Sequence, residues 1–159
     1  MGLFGKGAGA SGGLKGGFRE MKWGDQPLKE MEVLDDRGEE KFCLRHDDDL
    51  SWNGVPLDKI VYQYWENRLS DVFLEIPTDS AERVFKDLLD GWGKPEQPNK
   101  FIQDFLWRNK AIGPEGTEAA WSRNPNTHAA TLLISSSYIK TKKTLARSRP
   151  GMKPPAAPT

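Results

Sequence analysis

The chain has 159 residues with 23 basic and 23 acidic side chains, zero formal net charge and one cysteine, Cys43. That length suits one domain, a lone cysteine excludes an intramolecular disulfide, and no run approaches the ~18 apolar residues of a membrane span. The neutral total hides a segregation, because all 23 acids and only 14 of the bases fall in 20–139, so the middle is acidic and both ends are purely basic.

Residues 1–17 carry eight glycines. Such a stretch cannot bury enough surface to offset its ordering entropy, so a disordered arm is expected there. Its start resembles a myristoylation site but has Lys6 where Ser or Thr is wanted. It also lacks the apolar core of a signal peptide, so a cytoplasmic location and no membrane partner are expected. After the first large side chains, Phe18 to Trp23, Asp25-Gln26-Pro27 can open a short helical turn to about Glu30. Met31–Leu34 and Glu40–Arg45 read as short strands across a polar turn. The run His46-Asp47-Asp48-Asp49 is too charged to bury and reads as loop. Asn53-Gly54 suits a two-residue hairpin turn, and Pro56 then belongs at an edge or a bulge.

Lys59–Trp65 and Leu69–Ile76 are the strongest strand signals, rich in β-branched and aromatic residues. A three-residue turn, Glu66-Asn67-Arg68, pairs Tyr62 with Val72 and Ile60 with Leu74, joining the two most apolar faces. A two-residue turn would set Tyr62 against Asp71. The three-residue choice leaves a second apolar stripe, Val61, Trp65, Leu69 and Phe73, on the opposite face. An antiparallel sheet with one face in water normally shows a cleaner polar side. That stripe is therefore covered by another part of the chain or offered to a partner.

A helix is expected from Asp79, in a capping-box arrangement with Glu82. Ala81, Val84, Phe85, Leu88, Leu89 and Trp92 follow at helical spacing, and Gly91, Gly93 and Pro95 end it. Strand-like segments return at Phe101–Arg108, Thr117–Ser122 and Thr131–Ser136, with Ser137–Lys140 ending the fold. Residues 141–159 hold four prolines and are expected to be a disordered basic tail. The organisation expected is one α+β domain over 18–140. It would have an antiparallel sheet of about five to seven strands, and one main helix near 79–92 on one face.

Three stretches carry a resemblance: Phe18-Arg19-Glu20-Met21-Lys22-Trp23-Gly24-Asp25, the hairpin from Val61 through the helix to Gly91-Trp92-Gly93-Lys94-Pro95, and Leu132-Leu133-Ile134-Ser135. Together they resemble a diffuse group of uncharacterised small bacterial α+β proteins, and the hairpin-then-helix unit is loosely similar to BamE-type lipoproteins. The resemblance implies the α+β fold and brings no catalytic residue.

Candidate chemistry is sparse. Calcium loops space their acids around a glycine, which residues 46–49 do not. Cys43, His46 and His128 fall short of a four-ligand zinc site. Ser135, Ser136 or Ser137 with His128 lack the Gly-x-Ser-x-Gly elbow of a hydrolase. No glycine loop has the form that cradles phosphate. No metal and no cofactor is expected. Six tryptophans are many for this length, and Trp is enriched at binding hot spots. The leading expectation is a non-catalytic binding or assembly module that meets a protein, peptide or sugar through Trp65, Phe73, Leu69 and Val61. The rivals are a small hydrolase-like or metal-dependent enzyme, and a weak nucleic-acid binder. The binder would use Lys140, Lys142, Lys143, Arg147 and Arg149 as its polyanion contacts.

Overall fold

Strand formation follows the alternating and β-branched segments of the sequence. The computed structural model describes residues 17–108, 112 and 116–147. In chain order come β1 (Gly17–Phe18), β2 (Met21–Lys22), β3 (Met31–Asp36), β4 (Glu40–Arg45), β5 (Ser51–Trp52), β6 (Val55–Pro56), β7 (Lys59–Trp65) and β8 (Arg68–Ile76). Helix α1 (Thr78–Trp92), β9 (Asp104–Trp107), β10 (Thr117–Arg123), β11 (Ala130–Ser136) and helix α2 (Ser137–Arg147) complete the fold. Seven strands form one sheet in the order β9-β10-β11-β8-β7-β4-β3. Every pairing in it is antiparallel. The hairpins β1-β2 and β5-β6 stand apart from it, and the whole is an α+β fold.

The β7–β8 hairpin keeps the expected pairing by a different route. Tyr62 faces Val72 and Ile60 faces Leu74, yet Trp65 pairs with Arg68, so the turn holds only Glu66 and Asn67. Both turn residues have positive φ, 50° and 63°, as a type I′ turn requires. A register shift between Gln63 and Tyr64 leaves Ser70 as the extra residue of a β-bulge. Its hydroxyl donates to the Gln63 carbonyl at 3.2 Å. Below the bulge the register is the one apolar burial demands. Above it, Leu69 faces Tyr64 rather than Trp65.

The buried stripe of α1 comprises Ala81, Val84, Leu88 and Trp92. Phe85 meets Phe105, Trp107 and Trp121 at ring-centroid distances of 4.9, 5.9 and 5.1 Å. The expected capping box does not form. The helix begins one residue earlier, with Pro77 as its cap and no side-chain cap bond, while Glu82 pairs with Arg123 at 2.8 Å. The predicted helical turn at 27–30 is a hydrogen-bonded turn closed by Met31 N–H to the Leu28 carbonyl.

At the N-terminal end, Phe18 and Met21 are buried in a tight hairpin. A Cβ on Gly17 would run into the Met21 carbonyl, so glycine is required there. Arg19 secures this hairpin, donating to the carbonyls of Asp49 at 2.8 Å and Ser51 at 2.7 Å and to the Asp48 carboxylate at 3.3 Å. Tyr62 donates to the other Asp48 oxygen at 2.7 Å. The Asp48 side chain is only 5% exposed. One of the loop acids is thus buried, because three donors satisfy it: Arg19, Tyr62 and, at 2.9 Å, the Asp49 backbone N–H.

The C-terminal end also differs from expectation. Chain order does not stop at Lys140: α2 continues to Arg147, seven residues into the stretch expected to be a disordered tail. The remaining expectations for residues 1–16 and 148–159 lie outside the described residues.

Candidate functional site

Strand alternation divides the sheet into an inner face and an outer face. Tyr62, Val72, Leu74, Trp121, Leu132 and Ile134 point inward and are at most 2% exposed. The outer face is graded along the strand direction. Its middle row runs Val61, Phe73, Leu133, Ala120 and Leu106 across β7, β8, β11, β10 and β9, each residue facing the next. All five are half-buried, and the Phe42 ring approaches Phe73 at 6.5 Å between centroids.

Polar rows flank this apolar one. On one side stand Lys59, Glu75, Thr131, Ser122 and Asp104. Here Asp58, Glu75, Ser122, Arg123 and Thr131 help to line an open cleft of about 410 Å³. The carboxylates of Asp58, Glu75 and Asp104 are exposed. Arg123 is engaged, donating to Glu82 and, at 2.8 Å, to the His128 carbonyl.

On the other side come Gln63, Asp71, Ser135 and Glu118, then Trp65 and Glu40. Helix α2 crosses this end. Leaving the end of β11, it joins Lys140 to Glu118 at 3.3 Å and Lys143 to Glu40 at 3.1 Å. Arg147 then meets Glu39 at 2.7 Å and Glu40 at 2.9 Å. Burial alone would raise the Glu40 carboxyl pKa. The bond and charge of Lys143, with Arg147 and Gln63, outweigh burial and hold it below the usual range. For Asp71 burial wins, and its carboxyl is pushed up despite Ser70 and the charges of Lys143 and Lys140.

The residues expected to form the site are therefore dispersed. Val61 and Phe73 are together on the half-open row. Trp65 shares their face but is 5% exposed, lying on the path of α2 from β11 to β4. Leu69 is fully buried on the inner face, carried there by the Ser70 bulge. Leu133, Ala120 and Leu106 join the row instead, and nothing in their local sequence marks them, because strand order is what aligns them. The aromatic platform is likewise lost: Trp52, Trp65, Trp92, Trp107 and Trp121 are all at most 5% exposed, and half-buried Trp23 donates to the Thr117 hydroxyl at 3.2 Å.

Of the polyanion candidates, Lys140, Lys143 and Arg147 are paired with acids of the same chain. Lys142 is exposed on α2, and Arg149 lies outside the described residues. His128 precedes β11 while Ser135 is near its far end. At about 3.4 Å per residue they are on the order of 20 Å apart, too far to act as base and nucleophile. Among the described residues no group of three or more His, Cys, Asp or Glu side chains is placed to hold a metal ion. None of their helices is long and apolar enough to cross a membrane.

Comparison of the chain with protein-family models, curated proteins and solved structures gives no match.

Proposed function

We propose that this chain is a non-catalytic binding or assembly module. In this reading α1 closes the inner face of the sheet, and the apolar row on the outer face receives an amphipathic helix of a partner protein. The observation that carries it is the continuity of Val61, Phe73, Leu133, Ala120 and Leu106 across five strands, with polar side chains on both flanks. An apolar centre with a polar rim is the anatomy of a protein interface.

Dimensions favour a helix as the occupant. Five strands spaced about 4.8 Å apart span roughly 19 Å, the length of three to four helical turns. The apolar row lies two to four residues along the strands from the rows under α2, or about 7–13 Å. Neighbouring helix axes pack about 8–10 Å apart. A helix laid beside α2 therefore sits over the apolar row and completes the layer that α2 begins.

Charge gives the partner its second property. The exposed carboxylates of Asp58, Glu75 and Asp104 border the row opposite α2, and the body between residues 20 and 139 is acidic overall. The incoming helix carries Lys or Arg along that edge, because opposite charges across a rim guide docking and fix its direction.

A photo-crosslinking amino acid placed at Leu133 in the full chain, in a lysate of the source organism, tests this. The expected adduct maps to a segment of another protein with apolar residues at helical spacing and a basic edge, and it disappears with Phe73→Asp. Adducts only to a second copy, only to this chain's own residues, or to no protein contradict the reading.

A further inference from the structure

We infer that α2 is a displaceable strap, held on the outer face mainly by charge, whose release extends the docking surface from the apolar row onto Trp65. This rests on the proposed use of the outer face.

The two helices are anchored in different ways. Five residues of α1 are buried, whereas α2 buries only Ile139 and leaves Tyr138 and Leu145 57% and 63% exposed. At 11 residues α2 is below the length at which isolated helices persist in water, so its helicity depends on its contacts. At its start those contacts include buried Ile139 and the Ser137 N–H bond to the Gly116 carbonyl, and further along they include the ion pairs of Lys140, Lys143 and Arg147 with Glu118, Glu40 and Glu39. Most of these partners are partly exposed, and salt screens such pairs. Only Lys143 and Glu40, at 15% and 16% side-chain exposure, are well shielded.

What lies beneath α2 favours letting go. The Trp65 indole N–H is buried without a hydrogen-bond acceptor, and an unsatisfied buried donor is costly. The neighbouring Asp71 carboxyl is desolvated as well. Lifting α2 rehydrates both groups and frees Glu39, Glu40 and Glu118. Release therefore adds a second acidic rim, on the side of the apolar row away from Asp58, Glu75 and Asp104, to the surface on which the partner helix is seated. Until then the strap occupies that rim in cis.

Hydrogen exchange on the full chain, read by mass spectrometry at about 20 mM and about 1 M NaCl, tests the strap without any partner. The expected result is that amides of 137–147 exchange about ten-fold faster or more at high salt, while those of β7 and β8 are unchanged. The double variant Lys143→Glu/Arg147→Glu should exchange fast in α2 at both salt concentrations, and Lys143→Arg should behave as wild type. Protection of β7 and β8 in each sample reports that the sheet is intact, and Glu118→Gln provides a milder loss of the same kind. Salt-independent protection of α2, or wild-type protection in the double variant, overturns the strap. Either result leaves the Leu133 crosslink to decide the docking surface on its own, so the two ideas fail separately.

Discussion

Leu69→Ala and Val61→Ala separate the two faces of the sheet most sharply, because plain alternation from the expected turn would put both residues on the outer face. The Ser70 bulge turns Leu69 inward, where it is fully buried opposite Tyr64. Truncating it removes three buried carbons at about 0.8 kcal/mol each. With the cavity term, the loss reaches about 2–5 kcal/mol. Val61 loses two methyl groups from a half-buried site, or about 1 kcal/mol. For a domain of this size one kcal/mol moves Tm by about 3–5 °C. Leu69→Ala should therefore lower Tm by roughly 6–25 °C and Val61→Ala by about 5 °C or less. Urea unfolding followed by circular dichroism gives the same comparison as midpoints at unchanged slope. Equal losses at the two positions, or a larger loss at Val61, would refute the bulge and every face assignment that follows from it.

Other expectations follow from the buried polar groups and from α1. Burial raises the Asp71 carboxyl pKa, so the folded state favours the protonated form, and ionised Asp71 costs stability at neutral pH. Asp71→Asn should raise Tm at pH 7, with the gain shrinking as the pH falls toward about 4; a gain independent of pH contradicts this. Tyr62→Phe removes a donor from the nearly buried Asp48 carboxylate and should cost about 1–3 kcal/mol. Combined with Arg19→Ala in a double-mutant cycle, it should show coupling above about 0.5 kcal/mol, and simple additivity would break the proposed network. On α1, Leu88→Ala should cost about 2–5 kcal/mol and Lys86→Ala about 0.5 kcal/mol or less, read by thermal unfolding; equal losses contradict the buried stripe.

Local chemistry made much of the fold legible. Alternation located the long hairpin, apolar spacing located α1, and Asn53-Gly54 marked its turn, with φ of 52° and 80°. The pairing of Tyr62 with Val72 was also readable, because burial of two apolar faces demands it. The means was not readable: Glu66-Asn67 in a tight turn plus a bulge at Ser70 gives the same register below the bulge and a different face above it. The candidate site was less accessible. Its row depends on β11 lying between β8 and β10, a matter of strand order that short-range patterns do not encode. Helix α2 escaped notice because its apolar content is low and its stability comes from acids more than 20 residues away, in Glu118 and Glu40. The basic composition that suggested a polyanion ligand reflects, for Lys140, Lys143 and Arg147, partners within the chain.

The most direct test of the central claim is the affinity of the segment crosslinked at Leu133, made as a synthetic peptide, for three forms of the full chain. Wild type and Leu145→Asp, altered at an exposed position on α2, should bind within about two-fold of each other, whereas Phe73→Asp should weaken binding about 30-fold or more, the scale of a central hot spot. Undiminished binding by Phe73→Asp with its sheet intact would contradict the claim that the apolar row is the docking surface.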